Sequence, residues 1–142
     1  MKLDETDFKI LGFLKKDAKT PFTEIGDALG IADSTVHIRV NKMVDEGVID
    51  RFTIIVNDEA LGRVASLLMM DVVPGHFEEV LPGLVQSENV KEIMELQGAY
   101  VAALKISADN LSKMRDEILR IRRIPNVTRT EMITILKTWK ST

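Results

Sequence analysis

The hydrophobic period of this chain changes at Gly47, and that change divides it into two modules. Before Gly47, apolar residues recur at helical spacing; after it, they alternate as strands do. Leu3, Ile10, Leu11 and Leu14 mark a first helical stripe. Asp4 and Asp7 stand where an N-cap and a first-turn acid suit the helix dipole. Thr20-Pro21 opens a second helix, with Thr20 as N-cap and Pro21 in the first turn, where a missing N–H is harmless. That helix, residues 21–29, buries Phe22, Ile25 and Leu29, and Gly30 supplies the left-handed residue that ends it. Ala32 or Asp33 opens a third helix with Val36, Val40, Met43 and Val44 inward, and Gly47 stops it.

Beyond Gly47 the expected order is strand-rich. Residues 48–56 read as a strand with a turn at Asn57-Asp58. Residues 65–73 read as a strand buried on both faces. Phe77, Val80, Leu81, Leu84 and Val85 form a helical stripe that Pro82 should kink or confine. Residues 90–96 and 100–106 make a hairpin around a tight turn at Gln97-Gly98-Ala99. Asp109 opens a helix carrying Leu111, Met114, Ile118 and Ile121, and residues 127–136 form the last strand. The resulting fold class is α+β: a helix-turn-helix module (residues 1–50), a strand-like linker (51–62) and a ferredoxin-like β-α-β-β-α-β module (63–142).

Composition excludes several function classes. The chain has no cysteine, so disulfides and thiolate metal sites are out, and His37 and His76 lie too far apart to suggest a metal pair. No acid stands beside a nucleophile, and no catalytic residue or cofactor is expected. His76, after Pro74-Gly75, reads as an exposed loop residue rather than a base. No apolar run approaches the roughly 20 residues of a membrane span, and the start MKLDETDFKI is unlike a signal peptide; a cytoplasmic protein is expected. Residues 1–50 hold seven bases against ten acids, a balance of −3, and the remainder holds twelve of each. A nucleic-acid footprint is normally basic, so any DNA contact must rest on a few well-placed cations.

Two short helices joined at Gly30-Ile31 make a helix-turn-helix candidate, whose second helix lies in the major groove. Ser34, Thr35, His37, Arg39, Asn41 and Lys42 are polar enough to reach phosphates and base edges, and Ile38 could touch a thymine methyl. Arg51 could reach an adjacent phosphate. The pattern alone leaves a merely solvated helix face open.

The string GIADSTVHIRVNKMVDEGVIDRFTIIVNDEALG resembles the helix-turn-helix and linker of the Lrp/AsnC, or feast/famine, transcription regulators. Asp4, Asp7, Ile10-Leu11, Leu14, Asp17, Glu24-Ile25, Gly47-Val48-Ile49 and Leu61-Gly62 fit the same pattern, as do Gly98 and the run from Val127 to Thr130. The resemblance implies a regulator of double-stranded DNA that dimerises through its C-terminal sheets, with tetramers or octamers beyond. Paired recognition helices would read half-sites about one turn (~34 Å) apart, and avidity would offset a weakly charged reading head.

Many relatives in that family bind an amino acid near the hairpin and the last strand, and here the sequence departs from them. The family's Thr-Gly-x-x-Asp hairpin reads Gln97-Gly98-Ala99-Tyr100-Val101, and its Thr-x-Thr reads Thr130-Glu131-Met132. An ammonium in a partly buried cleft needs a charged partner, so Val101 and Met132 argue against tight binding of an ordinary amino acid. Either they are packing residues, or Gln97, Gly98, Ala99, Tyr100, Val101, Thr130 and Met132 line a site for a different effector. Ala32 replaces a common Ser, which would let Asp33 or Ser34 take the cap and shift the helix start. Lys19 replaces a common Arg, which loses a bidentate fork. Two functions stand: a sequence-specific regulator, or an architectural protein that binds DNA broadly without an effector.

Overall fold

The computed structural model describes residues 2–141, so Met1 and Thr142, the outer ends of the two expected modules, lie outside it. The chain divides after Ile55 into two compact units.

The first unit holds α1 (Glu5–Lys16), α2 (Phe22–Leu29) and α3 (Asp33–Asp45). A reciprocal capping box opens α1: the Asp7 N–H donates to Asp4 Oδ1 at 2.9 Å, and the Asp4 N–H donates to Asp7 Oδ2 at 3.0 Å. Ile10, Leu14, Ile25, Val36, Val40 and Met43 form the core, with Phe22, Leu29 and Ile49 packed around it. Val44, expected inward, is 37% exposed, so the buried face of α3 narrows to Val36, Val40 and Met43. The N-cap of α2 is Pro21 rather than Thr20, because the Thr20 hydroxyl donates instead to the Asp17 carbonyl at 2.7 Å. The start of α3 is not shifted. Ala32 keeps the N-cap position without a side-chain bond, and the Asp33 carboxylate accepts only from the Ser34 N–H.

Residues 48–56, expected as a strand, form none. They have no ladder partner among the described residues, and an unpaired strand leaves its N–H and C=O groups to water. Phe52, Ile54, Ile55 and Val56 are all more than half exposed.

The second unit contains β1 (Val64–Val72), α4 (Phe77–Val85), β2 (Val90–Glu95), β3 (Ala102–Ala108), α5 (Leu111–Arg122) and β4 (Val127–Thr134). The strands form one antiparallel sheet in the order β2-β3-β1-β4, the ferredoxin-like arrangement. Leu68, Met70, Leu104 and Ile106 pack against Val80 and Leu84 of α4 and Met114, Ile118 and Ile121 of α5.

The expectation that β1 is buried on both faces is corrected. Ser66, Leu68, Met70 and Val72 are buried, while Ala65, Leu67, Met69 and Asp71 are only half-buried on the face that carries no helix. Asn110 rather than Asp109 caps α5, accepting from the Lys113 N–H at 2.9 Å, and Leu111 is exposed. Pro82 stays inside α4, whose last residue Val85 turns to solvent. The hairpin loop runs from 96 to 101, longer than the expected three-residue turn, and β4 stops two residues early.

Candidate nucleic-acid interface

The geometry of the N-terminal unit starts at the turn between α2 and α3. Gly30 closes α2 with φ 68° and ψ 33°, and the Ile31 N–H donates back to the Gly26 carbonyl at 3.0 Å. Here the backbones nearly touch: a Cβ on Gly26 would lie 2.7 Å from the Ile31 carbonyl oxygen. Only glycine permits that approach, so Gly26 sets how closely α2 meets the start of α3. Sequence reasoning missed this residue, because a glycine inside a helical pattern looks like a weak point rather than a close approach.

Val36, Val40 and Met43 anchor α3, and its other residues face out. Two stripes result from the 3.6-residue period. Ser34, His37 and Asn41 form one, with the His37 ring set edge-on against Phe22 of α2 at 4.4 Å between centroids. Thr35, Ile38 and Lys42 form the other and line a hollow shared with Lys2, Asp4 and Asp7 at the start of α1. Ile38 is 69% exposed. Arg51 is exposed in the segment after α3, 3.8 Å from the Asp50 carboxylate.

Arg39, expected among the DNA contacts, is also paired within the fold. Its Nη1 donates to Asp4 Oδ1 and Oδ2 at 3.0 and 2.8 Å and to Asp7 Oδ1 at 2.8 Å. The guanidinium thereby ties α3 to the capping box of α1 through Nη1. The Asp4 carboxyl is held below its ordinary 3.8, first by the Asp7 N–H and then by Arg39; those two aspartates raise the Arg39 guanidinium in turn.

The residues expected at an effector site do not converge. Gln97, Gly98 and Ala99 lie exposed in the hairpin loop. Val101 packs against the core, and its N–H donates to Asp71 Oδ1 and to the Met70 carbonyl, each at 3.1 Å. Met70 faces Thr130 and Leu68 faces Met132, which puts Thr130 and Met132 on the helix-covered side of the sheet. There Thr130 Oγ1 accepts from Arg122 Nε at 2.6 Å.

A polar cluster occupies the opposite face. Arg129 Nε donates to Asp71 Oδ2 at 2.9 Å, its Nη2 donates to the Ala99 carbonyl at 2.8 Å, and its guanidinium lies 4.3 Å above the Tyr100 ring. The Tyr100 hydroxyl donates to Glu131, and that bond raises the phenol above its ordinary 10.0. Sequence reasoning does not reach Asp71 and Arg129. They meet through the β1–β4 register, which no local pattern reveals.

Similarity to known proteins decides what kind of molecule carries this architecture. A model of winged helix-turn-helix DNA-binding domains matches residues 3–50. The HTH-type transcriptional regulator FL11 of Pyrococcus abyssi is 38% identical over 100% of this chain and 95% of its own length. The HTH-type transcriptional regulator LysM of Saccharolobus solfataricus is 30% identical over 96% of both chains. In fold, B. subtilis LrpC aligns with a TM-score of 0.85 over 100% of each chain at 25% identity, and E. coli AsnC with 0.88 over 100% and 97% at 23%. The chain belongs to the Lrp/AsnC family of transcription regulators. The helix-turn-helix of this Lrp/AsnC regulator is thus α2 and α3, and its sheet unit has the family's α+β fold. Among the described residues no helix is long and apolar enough to cross a membrane, and no three acids or histidines cluster as a metal site.

Proposed function

We propose that this Lrp/AsnC regulator reads specific DNA sites in the cytoplasm as a homodimer or larger assembly, through α3, without catalysing a reaction. The observation that carries the reading is the exposed stripe of α3. Ser34, Thr35, Ile38 and Lys42 stand outward from the anchors Val36, Val40 and Met43, with Ile38 bare to solvent. A hydroxyl pair, an apolar side chain for a thymine methyl and a phosphate-binding lysine make a workable groove-reading set. His37 contributes with its ring steadied by Phe22. Footprinting on the upstream DNA of the protein's own gene, with competitor DNA titrated in, tests this. One protected site that survives competition supports a specific regulator; uniform protection that competitor removes supports a broad, architectural binder instead.

Two features support assembly of copies. The helix-free face of the sheet presents Leu67, Met69 and Ile133, and the segment before the sheet exposes Phe52, Ile54 and Ile55. Apolar surface of that kind is characteristic of interfaces. Ile133→Glu would then shift the protein toward monomer in sedimentation; an unchanged oligomer would remove the sheet face from the interface.

The effector reading is negative for ordinary amino acids. Asp71 is already paired to Arg129 and to the Val101 N–H, and Glu131 accepts from Tyr100. A ligand ammonium would have to displace one of these internal partners. A thermal-shift screen of the standard amino acids should therefore give no stabilisation, and several degrees from any of them would reverse this reading.

A further inference from the structure

The hollow between the start of α1 and the outer stripe of α3 has a charge arrangement that the reading helix alone does not explain. It measures about 370 Å³ and is lined by Lys2, Asp4 and Asp7 from one side and Thr35, Ile38, Arg39 and Lys42 from the other. That is many times the roughly 30 Å³ share of a water molecule, so a phosphodiester group fits. Two of the lining cations, Lys2 and Lys42, make no ion pair among the described residues. The third, Arg39, turns its Nη1 onto the two aspartates.

We infer that this hollow seats a backbone phosphate of the DNA duplex between Lys2 and Lys42, and that Arg39 makes the seat usable by masking Asp4 and Asp7. The inference rests on the DNA-binding reading of α3 and extends the bound surface onto α1. The charge balance carries it. With Arg39 engaged, the two aspartates and the arginine sum to −1, and the two lysines bring the lining to +1. Without Arg39 the lining would be neutral, with the Asp4 carboxylate, its side chain 55% exposed, directed at the approaching phosphate. A helix cap needs a hydrogen-bond acceptor, not a negative charge. The aspartate at α1 therefore brings an electrostatic disadvantage beside a DNA-reading helix, and Arg39 offsets it from within the fold. Thr35 and Ile38 line the same hollow, so a phosphate there would lie alongside the groove-reading side chains and fix the register of α3.

Binding to sheared genomic duplex DNA over a range of salt concentrations tests this with the full chain. Lys2→Ala is expected to weaken binding several-fold. It should also lower the slope of log affinity against log salt by about 0.9 per protomer, because one phosphate is no longer neutralised. Asp4→Asn retains an N-cap acceptor of equal quality and is expected to tighten binding several-fold, a gain that a purely structural role for the capping box would not produce. If both variants match the wild type in affinity and slope, the phosphate seat is overturned while the reading of α3 stands. If the wild type does not bind duplex DNA, or Thr35→Ala with Lys42→Ala leaves binding intact, the reading of α3 fails and the seat fails with it.

Discussion

Two arginines in this regulator hold carboxylates at nearly the same distance and do different work. Arg39 bonds Asp4 and Asp7 at 2.8 Å, and Asp7 is only 2% exposed. Arg129 bonds Asp71 at 2.9 Å on a sheet surface where its own side chain is 57% exposed. A buried carboxylate cannot recover its lost hydration if its partner leaves, so the first pair is obligatory. The second competes with water at every moment and contributes little to stability. One is therefore a brace that fixes helices, and the other is a surface cluster that adds little to the stability of the sheet.

The largest effect should come from the buried side of the first pair. Arg39→Ala leaves the buried Asp7 carboxylate without its cation, and it should cost about 3 kcal/mol in urea unfolding followed by circular dichroism. A loss no greater than that of Asp71→Ala would erase the distinction between the two arginines. Gly26→Ala comes next. Its Cβ would meet a backbone oxygen that cannot swing aside, so about 1–3 kcal/mol of overpacking is expected, together with weakened DNA binding as α3 is displaced. Full DNA affinity in a folded Gly26→Ala protein would show that α3 is oriented by something other than this close approach. Arg129→Gln should change stability by less than about 1 kcal/mol; a larger loss would make the surface cluster a brace as well.

The smallest effects are in pH. Tyr100 is the sole tyrosine, so tyrosinate absorbance reports it alone. Its midpoint should lie above 10.0 and fall toward that value in Glu131→Gln. Because the folded value is raised, the stabilisation is complete below 10.0 and is lost as pH rises through the raised value. Asp4 runs the other way: its contribution is present above 3.8 and lost as pH falls through its lowered folded value.

The same contrast explains what is legible in the sequence. Helix stripes, caps and Gly30 are local, so α1 to α3 and their core can be read within a residue or so, and the order of elements along the chain follows from the alternation of periods. Pro21 for Thr20 and Asn110 for Asp109 are one-residue shifts of the kind that end-of-helix chemistry decides. Long-range pairing is not legible. Sequence alone puts Arg39 among the DNA-binding residues because its partners lie 35 and 32 residues away, and nothing near it along the chain announces them. The effector candidates group as neighbours along β4, but adjacent strand residues point to opposite faces, so Thr130 and Met132 part from Glu131 and Arg129. The segment 48–56 has a strand's pattern without a strand's partner, and pattern alone cannot supply one.

The close approach of Gly26 to Ile31 has a consequence for how such a regulator changes over time. Because that part of the tilt of α3 is set by main chain against main chain, the outward residues at 34, 35, 38 and 42 bear little of the task of holding it. They can be exchanged while the mounting stays as it is. A new operator preference could then arise by single replacements on a fixed platform, without any refitting of the fold beneath.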